Sequence, residues 1–126
     1  MPSKLHDKFQ NAKKPLQQEV DNFKAKKTKL PTGHVEELLG KYIVLRTALD
    51  AVVPAYMAKN SKDVSEKATK ALGIAKGLSD QIIAPNGVDP PRANAYKTAK
   101  TRMGDIITDL TNLKRGVTTA NDKIVR

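Results

Sequence analysis

Apolar residues recur along this chain at alternating steps of three and four. Between residues 35 and 56 they fall at Val35, Leu38, Tyr42, Leu45, Leu49, Val52 and Tyr56. Val64, Ala68, Ala71, Ala75, Leu78 and Ile82 repeat the pattern, and Tyr96, Ala99, Met103, Ile106, Leu110, Leu113, Val117, Ala120 and Ile124 carry it furthest. The first segment offers Leu5, Phe9, Ala12, Leu16, Val20 and Phe23, with one step lengthened just after Pro15. A mean step near 3.5 keeps an apolar stripe facing partner helices that cross at roughly 20°. Nothing alternates with period two for long enough to make a strand. The pattern predicts an all-α chain.

The breaks between segments set the topology. Leu30-Pro31-Thr32-Gly33 separates the first helix from the second, with Thr32 placed as an N-cap. Asn60-Ser61 divides the second from the third, and either side chain can accept from the exposed N–H groups. The long loop Ala84-Pro85-Asn86-Gly87-Val88-Asp89-Pro90-Pro91 holds an Asn-Gly turn and ends on Asp-Pro, a helix start that wastes only an orphan N–H. Helices are expected near 3–29, 33–59, 62–84 and 90–122. Short connections make neighbours antiparallel, which gives an up-down-up-down four-helix bundle with coiled-coil-like packing, one domain over residues 1–126. Pro15 and Pro54 should kink their helices without ending them, because the apolar phase resumes beyond each. Gly73 and Gly77, with Ala68, Ala71 and Ala75, should make the third helix thin and draw its neighbours close.

Composition narrows the chemistry. The 126 residues are 39% apolar and 29% charged, a folded rather than a disordered balance. Cysteine is absent, which removes disulfides, thiolate zinc sites and cysteine nucleophiles. The longest apolar run, Ala51 to Ala58, is interrupted by Pro54 and is too short for a bilayer core of about 30 Å. The N-terminal residues lack the apolar stretch of a secretory signal. The expected protein is soluble and intracellular, cytoplasmic or, since Lys26-Lys27-Thr28-Lys29 has the look of an import signal, nuclear. A membrane partner is not expected, because the apolar stripes are committed to one another.

The charge is uneven. The net charge is +10, from 23 Lys and Arg against 13 Asp and Glu. Residues 1–30 hold eight basic and three acidic groups, net +5, and residues 90–126 hold the same numbers, again net +5. The stretches 31–60 and 61–89 are neutral, with three of each sign and four of each sign. In an up-down-up-down bundle the first and last helices are neighbours, so one wall should be basic. Its candidate polyanion-binding residues are Lys13, Lys14, Lys24, Lys26, Lys27, Lys29, Lys97, Lys100, Arg102, Lys114 and Arg115. Lysine predominates, and hydrated point charges suit non-specific attraction better than base-edge reading. The few aromatics do not interleave with the cations, so stacking on single strands is poorly supported.

Other chemistries find little footing. His6 and His34 are the only histidines, and no Glu-x-x-His pair of a di-iron bundle accompanies them, so no metal and no cofactor is expected. No nucleophile elbow, zinc-protease helix or phosphate loop occurs, and a non-enzymatic role is expected. The first reading is a basic helical-bundle binding protein that engages a polyanion, nucleic acid above all. The alternative is a structural or adaptor bundle for protein–protein interaction, of the chaperone, phage-structural, toxin-neutralising or cytoskeletal type, meeting an acidic protein surface. The end of the last helix, around Val117, Ala120 and Ile124, should overhang its shorter neighbours and either fray or pair in a homodimer.

Overall fold

The computed structural model describes residues 4–26, 33–84 and 90–125. Four long helices carry the chain: α1 (Lys4–Lys26), α2 (Gly33–Met57), α3 (Ser61–Gln81) and α4 (Pro90–Leu113). Among the described residues there is no strand. Each helix packs on two others in a closed ring, α1 on α2, α2 on α3, α3 on α4 and α4 back on α1. The four-helix bundle read from the sequence is the fold.

The seam explains why. Leu38, Tyr42, Leu45, Leu49, Val52 and Tyr56 of α2 are all buried, as are the alanine-rich stripe of α3 and the α4 stripe from Tyr96 to Leu113. Leu5, Phe9, Ala12 and Leu16 complete the core from α1. Tyr42 and Phe9 meet with ring centroids 5.9 Å apart and planes tilted by 53°, near the edge-to-face arrangement that aromatic quadrupoles favour. Pro15 and Pro54 lie inside α1 and α2, which continue past them as expected.

The α2–α3 connection is a tight reversal. Lys59 N–H donates to the Tyr56 carbonyl and Asn60 N–H to the Ala55 carbonyl, the paired bonds of a Schellman end. Lys59 occupies the left-handed position with φ 58°, where glycine is the usual resident. The Asn60 side chain then caps α3 by accepting from Asp63 N–H at 3.1 Å. Thr32, Asn86-Gly87 and Asp89, the other expected punctuation, lie outside the described residues.

The last helix departs from expectation. It stops at Leu113 rather than near residue 122. Gly116 adopts φ +105°, and a Cβ there would collide with Ser61 Oγ, so the helix ends where only glycine fits. Ser65 Oγ donates to the Lys114 carbonyl at 2.7 Å, Asn121 Nδ2 to the Gly116 carbonyl at 2.6 Å, and Val117 N–H to Ser61 Oγ at 3.3 Å. Thr118 caps a short 3₁₀ turn (Thr119–Asn121), which runs into α5 (Asp122–Val125). The Tyr56 hydroxyl, at the foot of α2, donates to the Asp122 carboxylate and the Thr118 carbonyl. Val125 is fully buried, Val117 and Ile124 pack partly on the core, and Ala120 is exposed. The expected overhang is a hook folded back against α1.

The glycines of α3 also differ from expectation. A Cβ built on Gly73 or Gly77 meets nothing within 4 Å. The close approach is made by the buried alanines instead, and both glycines face outward.

Candidate polyanion-binding face

The α1–α4 contact is held by polar groups as well as by the seam. Lys8 Nζ donates to Asp109 Oδ2 at 2.5 Å, and the Asp109 side chain is only 9% exposed. A carboxylate held that deep needs its cation, because an unpaired buried charge is costly. One turn along, Pro15 has no N–H to give the Asn11 carbonyl, its partner four residues back. Arg102 Nη1, reaching across from α4, donates to that carbonyl at 2.8 Å. The adjacent Ala12 carbonyl accepts from the Tyr42 hydroxyl of α2 at 3.1 Å. The break that proline makes in α1 is therefore met from both sides by neighbouring helices. Burial pushes the Tyr42 phenol well above the usual phenolic range, since its anion would be desolvated there. Among the described residues, no buried side-chain nitrogen or oxygen lacks a partner.

Outside these bonds, α1 and α4 frame a groove of about 410 Å³. Asn11, Lys14 and Gln18 line it from α1, and Asn94, Thr98 and Arg102 from α4. Steps of three and four on α1, and of four and four on α4, set each trio along one helical row. Of the expected cations, the groove brings together Lys14 and Arg102, and Arg102 already serves the Asn11 carbonyl. Lys13 lines a smaller hollow along α1, of about 330 Å³, with Lys14, Gln10, Gln17 and Asp21. Lys97 and Lys100 are exposed on the other flank of the buried α4 stripe, away from the row that faces α1. Lys114 and Arg115 are exposed beyond the C-terminal end of α4, where cations complement the macrodipole. They stand roughly 25 Å along the bundle from Lys97, at about 1.5 Å per residue. Lys24 and Lys26 lie on the last turns of α1 with side chains outside the described part, and Lys27 and Lys29 lie outside the described residues.

On the opposite side of the ring, α2 and α3 frame a second groove of about 400 Å³. Ile43, Val44, Ala48, Ala51 and Ile74 give it an apolar lining, with Thr47, Lys67 and Lys70 at its edge. Ile43 is 63% exposed and Val44 55% exposed. A signal for this groove was present in the sequence: both residues sit off the Leu38-Tyr42-Leu45-Leu49 seam, where a solvated helix face would carry polar side chains. The polar row of the first groove had no comparable signal, because amides and hydroxyls at helical spacing read as ordinary surface. Among the described residues, no cluster of three His, Asp or Glu side chains could hold a metal ion.

No family model, no curated protein and no solved structure matches this chain.

Proposed function

We propose that this chain is a non-enzymatic binding module whose basic side, formed by α1 and α4, engages a polyanion, nucleic acid above all, through phosphate contacts. One observation carries the reading. The helices α1 and α4 pack side by side, so the described parts of the two basic segments, net +3 over residues 4–26 and net +4 over residues 90–125, share one half of the bundle, while residues 33–84 sum to +1. A field of one sign concentrated on one half attracts and orients a polyanion before contact. Exposed Lys14, Lys97, Lys100, Lys114 and Arg115 supply cations along the length of that half. Asn11, Gln18, Asn94 and Thr98 add neutral donors in the groove between them. Lysines spread along the length of the half, with no aromatic platform among them, suit phosphate contacts and low sequence preference.

Fluorescence anisotropy of labelled duplex and single-stranded oligonucleotides, titrated at about 50 mM and about 200 mM salt, tests this. Contact with six or more phosphates lowers affinity on the order of a thousandfold across that range. Replacing Lys24, Lys26, Lys27 and Lys29 with glutamine should flatten the slope by several units. Absence of binding at the lower salt overturns the reading.

A further inference from the structure

We propose that the groove between α2 and α3 seats an amphipathic helix of a partner protein, with its apolar row on the α2 wall and its carboxylates against Lys67 and Lys70. This surface is separate from the polyanion-binding side.

The groove is apolar where a solvated surface carries polar groups. Ile43 is 63% exposed and Val44 55%, and with Ala48, Ala51 and Ile74 they line a concavity of about 400 Å³. Apolar side chains grouped on a concave surface mark a contact site.

Charge selects the occupant. The α2 wall of the groove carries no charge, and Thr47 is the one polar side chain it contributes. Both charged residues of the lining, Lys67 and Lys70, stand on α3, and no carboxylate lines the groove. Lys67 holds Asp63 at 2.9 Å in a pair whose side chains are each 38% exposed, a bond worth little and readily exchanged. Lys70 is exposed and enters no ion pair among the described residues. An apolar surface laid over the groove desolvates both ammonium groups, and carboxylates opposite them offset that cost. The long-range field does not draw a polyanion here, since residues 33–84 sum to +1 against +3 over residues 4–26 and +4 over residues 90–125. The demand is local: one or two carboxylates beside an apolar row.

Register and shape give the occupant its form. Lys41 donates to Gln81 across the antiparallel pair, which sets Ile74 level with Ala48, and Lys70 level with Ala51 and Val52. One end of the groove is therefore apolar on both walls, and the other faces cations. The α2 lining runs from Ile43 to Ala51, about 12 Å at 1.5 Å per residue. Three apolar side chains at i, i+4 and i+7 of a helix span about 10 Å and fill that length. Ile43 at the rim is mostly exposed, so the groove is open along its side. Its occupant needs a solvated face of its own, which a helix brings and a bare alkyl chain does not.

Two labelled, end-blocked peptides of about 20 residues, long enough to be helical, test this by fluorescence anisotropy. Both are alanine-rich with leucine at i, i+4 and i+7; one borders that row with glutamate, the other with lysine. At about 150 mM salt, without nucleic acid, the glutamate peptide should saturate the protein below about 1 mM and bind about tenfold tighter than the lysine peptide. Val44→Ser, at an exposed position that leaves the fold intact, should weaken the glutamate peptide about tenfold, while Lys14→Gln on the other side should leave it unchanged. Lys67→Glu combined with Lys70→Glu should erase the preference between the peptides. No saturation, equal affinities for the two peptides, or a loss caused by Lys14→Gln in place of Val44→Ser overturns the proposal. So does a dimer in sedimentation equilibrium that Val44→Ser dissolves, which gives the groove to a second copy of the chain.

Discussion

Two grooves of nearly equal volume, about 410 and about 400 Å³, run along opposite sides of this bundle, and their linings differ in kind. The α1–α4 groove is walled by amides, a hydroxyl and cations, and the helices beneath it are joined by Lys8–Asp109 and by Arg102 on the Asn11 carbonyl. The α2–α3 groove is walled by Ile43, Val44 and Ile74, and the polar link across it is Lys41 to Gln81 between exposed residues. Proline accounts for part of the contrast. Pro15 opens α1 in mid-helix, and Arg102 of α4 donates to the carbonyl it frees at the exposed edge of the pair. Pro54 lies in the final turn of α2 and is itself exposed, so it makes no such demand. The lesson is that a helix pair with a buried carboxylate draws a cation to it, while a pair joined by small apolar residues keeps its polar link at the exposed edge.

The sharpest way to break this comparison is to remove one cation from each side. Lys8→Met strands the Asp109 carboxylate at 9% exposure, and the cost should be about 2 kcal/mol. That is below the range for fully buried pairs because the Lys8 side chain is 41% exposed and part of its interaction is screened. Lys41→Met, which touches only the exposed Gln81 and Glu37, should cost less than about 0.5 kcal/mol. Urea denaturation of both variants measures the difference. Equal costs would mean that the two helix pairs are held alike.

A smaller effect sharpens the role given to proline. Arg102→Met removes the donor from the exposed Asn11 carbonyl, which water can then reach, and should destabilise by about 0.5 to 1 kcal/mol. In a Pro15→Ala background the backbone supplies its own N–H to that carbonyl, and the same substitution should cost only a few tenths of a kcal/mol. A double-mutant cycle should therefore give a coupling of about 0.5 kcal/mol. Additive costs would show that Arg102 does not answer Pro15, and would release it to act as a surface cation.

The regular part of this fold was legible because a seam read as a helix period is also a list of buried positions. From Leu38 to Tyr56 on α2 and from Tyr96 to Leu113 on α4, the residues named by spacing alone are all buried, and Ala48, Ala55 and Asp109 join them. The same logic failed past Leu113. Val117, Ala120 and Ile124 keep the step of three and four while the backbone turns back on itself, because Val117 and Ile124 reach the core from a hook as well as they would from a helix. Gly116 followed by Val117-Thr118-Thr119 was the sign of the break, a flexible residue leading into a β-branched run. The candidate site was legible at coarser grain. Adjacency of the two basic segments followed from topology, but which cations share a groove depends on helix rotation, and the bond from Arg102 to the Asn11 carbonyl depends on a neighbour distant in sequence.

The last effect bears on the unfinished side. Gly73→Ala and Gly77→Ala should each stabilise the folded chain by about 0.5 to 1 kcal/mol, since both glycines sit in α3 without positive φ and a methyl group meets nothing within 4 Å. The gain comes largely from the unfolded state, which loses freedom when glycine becomes alanine. Measured by urea denaturation, the two gains should be close to additive. A loss of stability at either position would mean that the added methyl is crowded and that the outer surface of α3 is packed in the single chain.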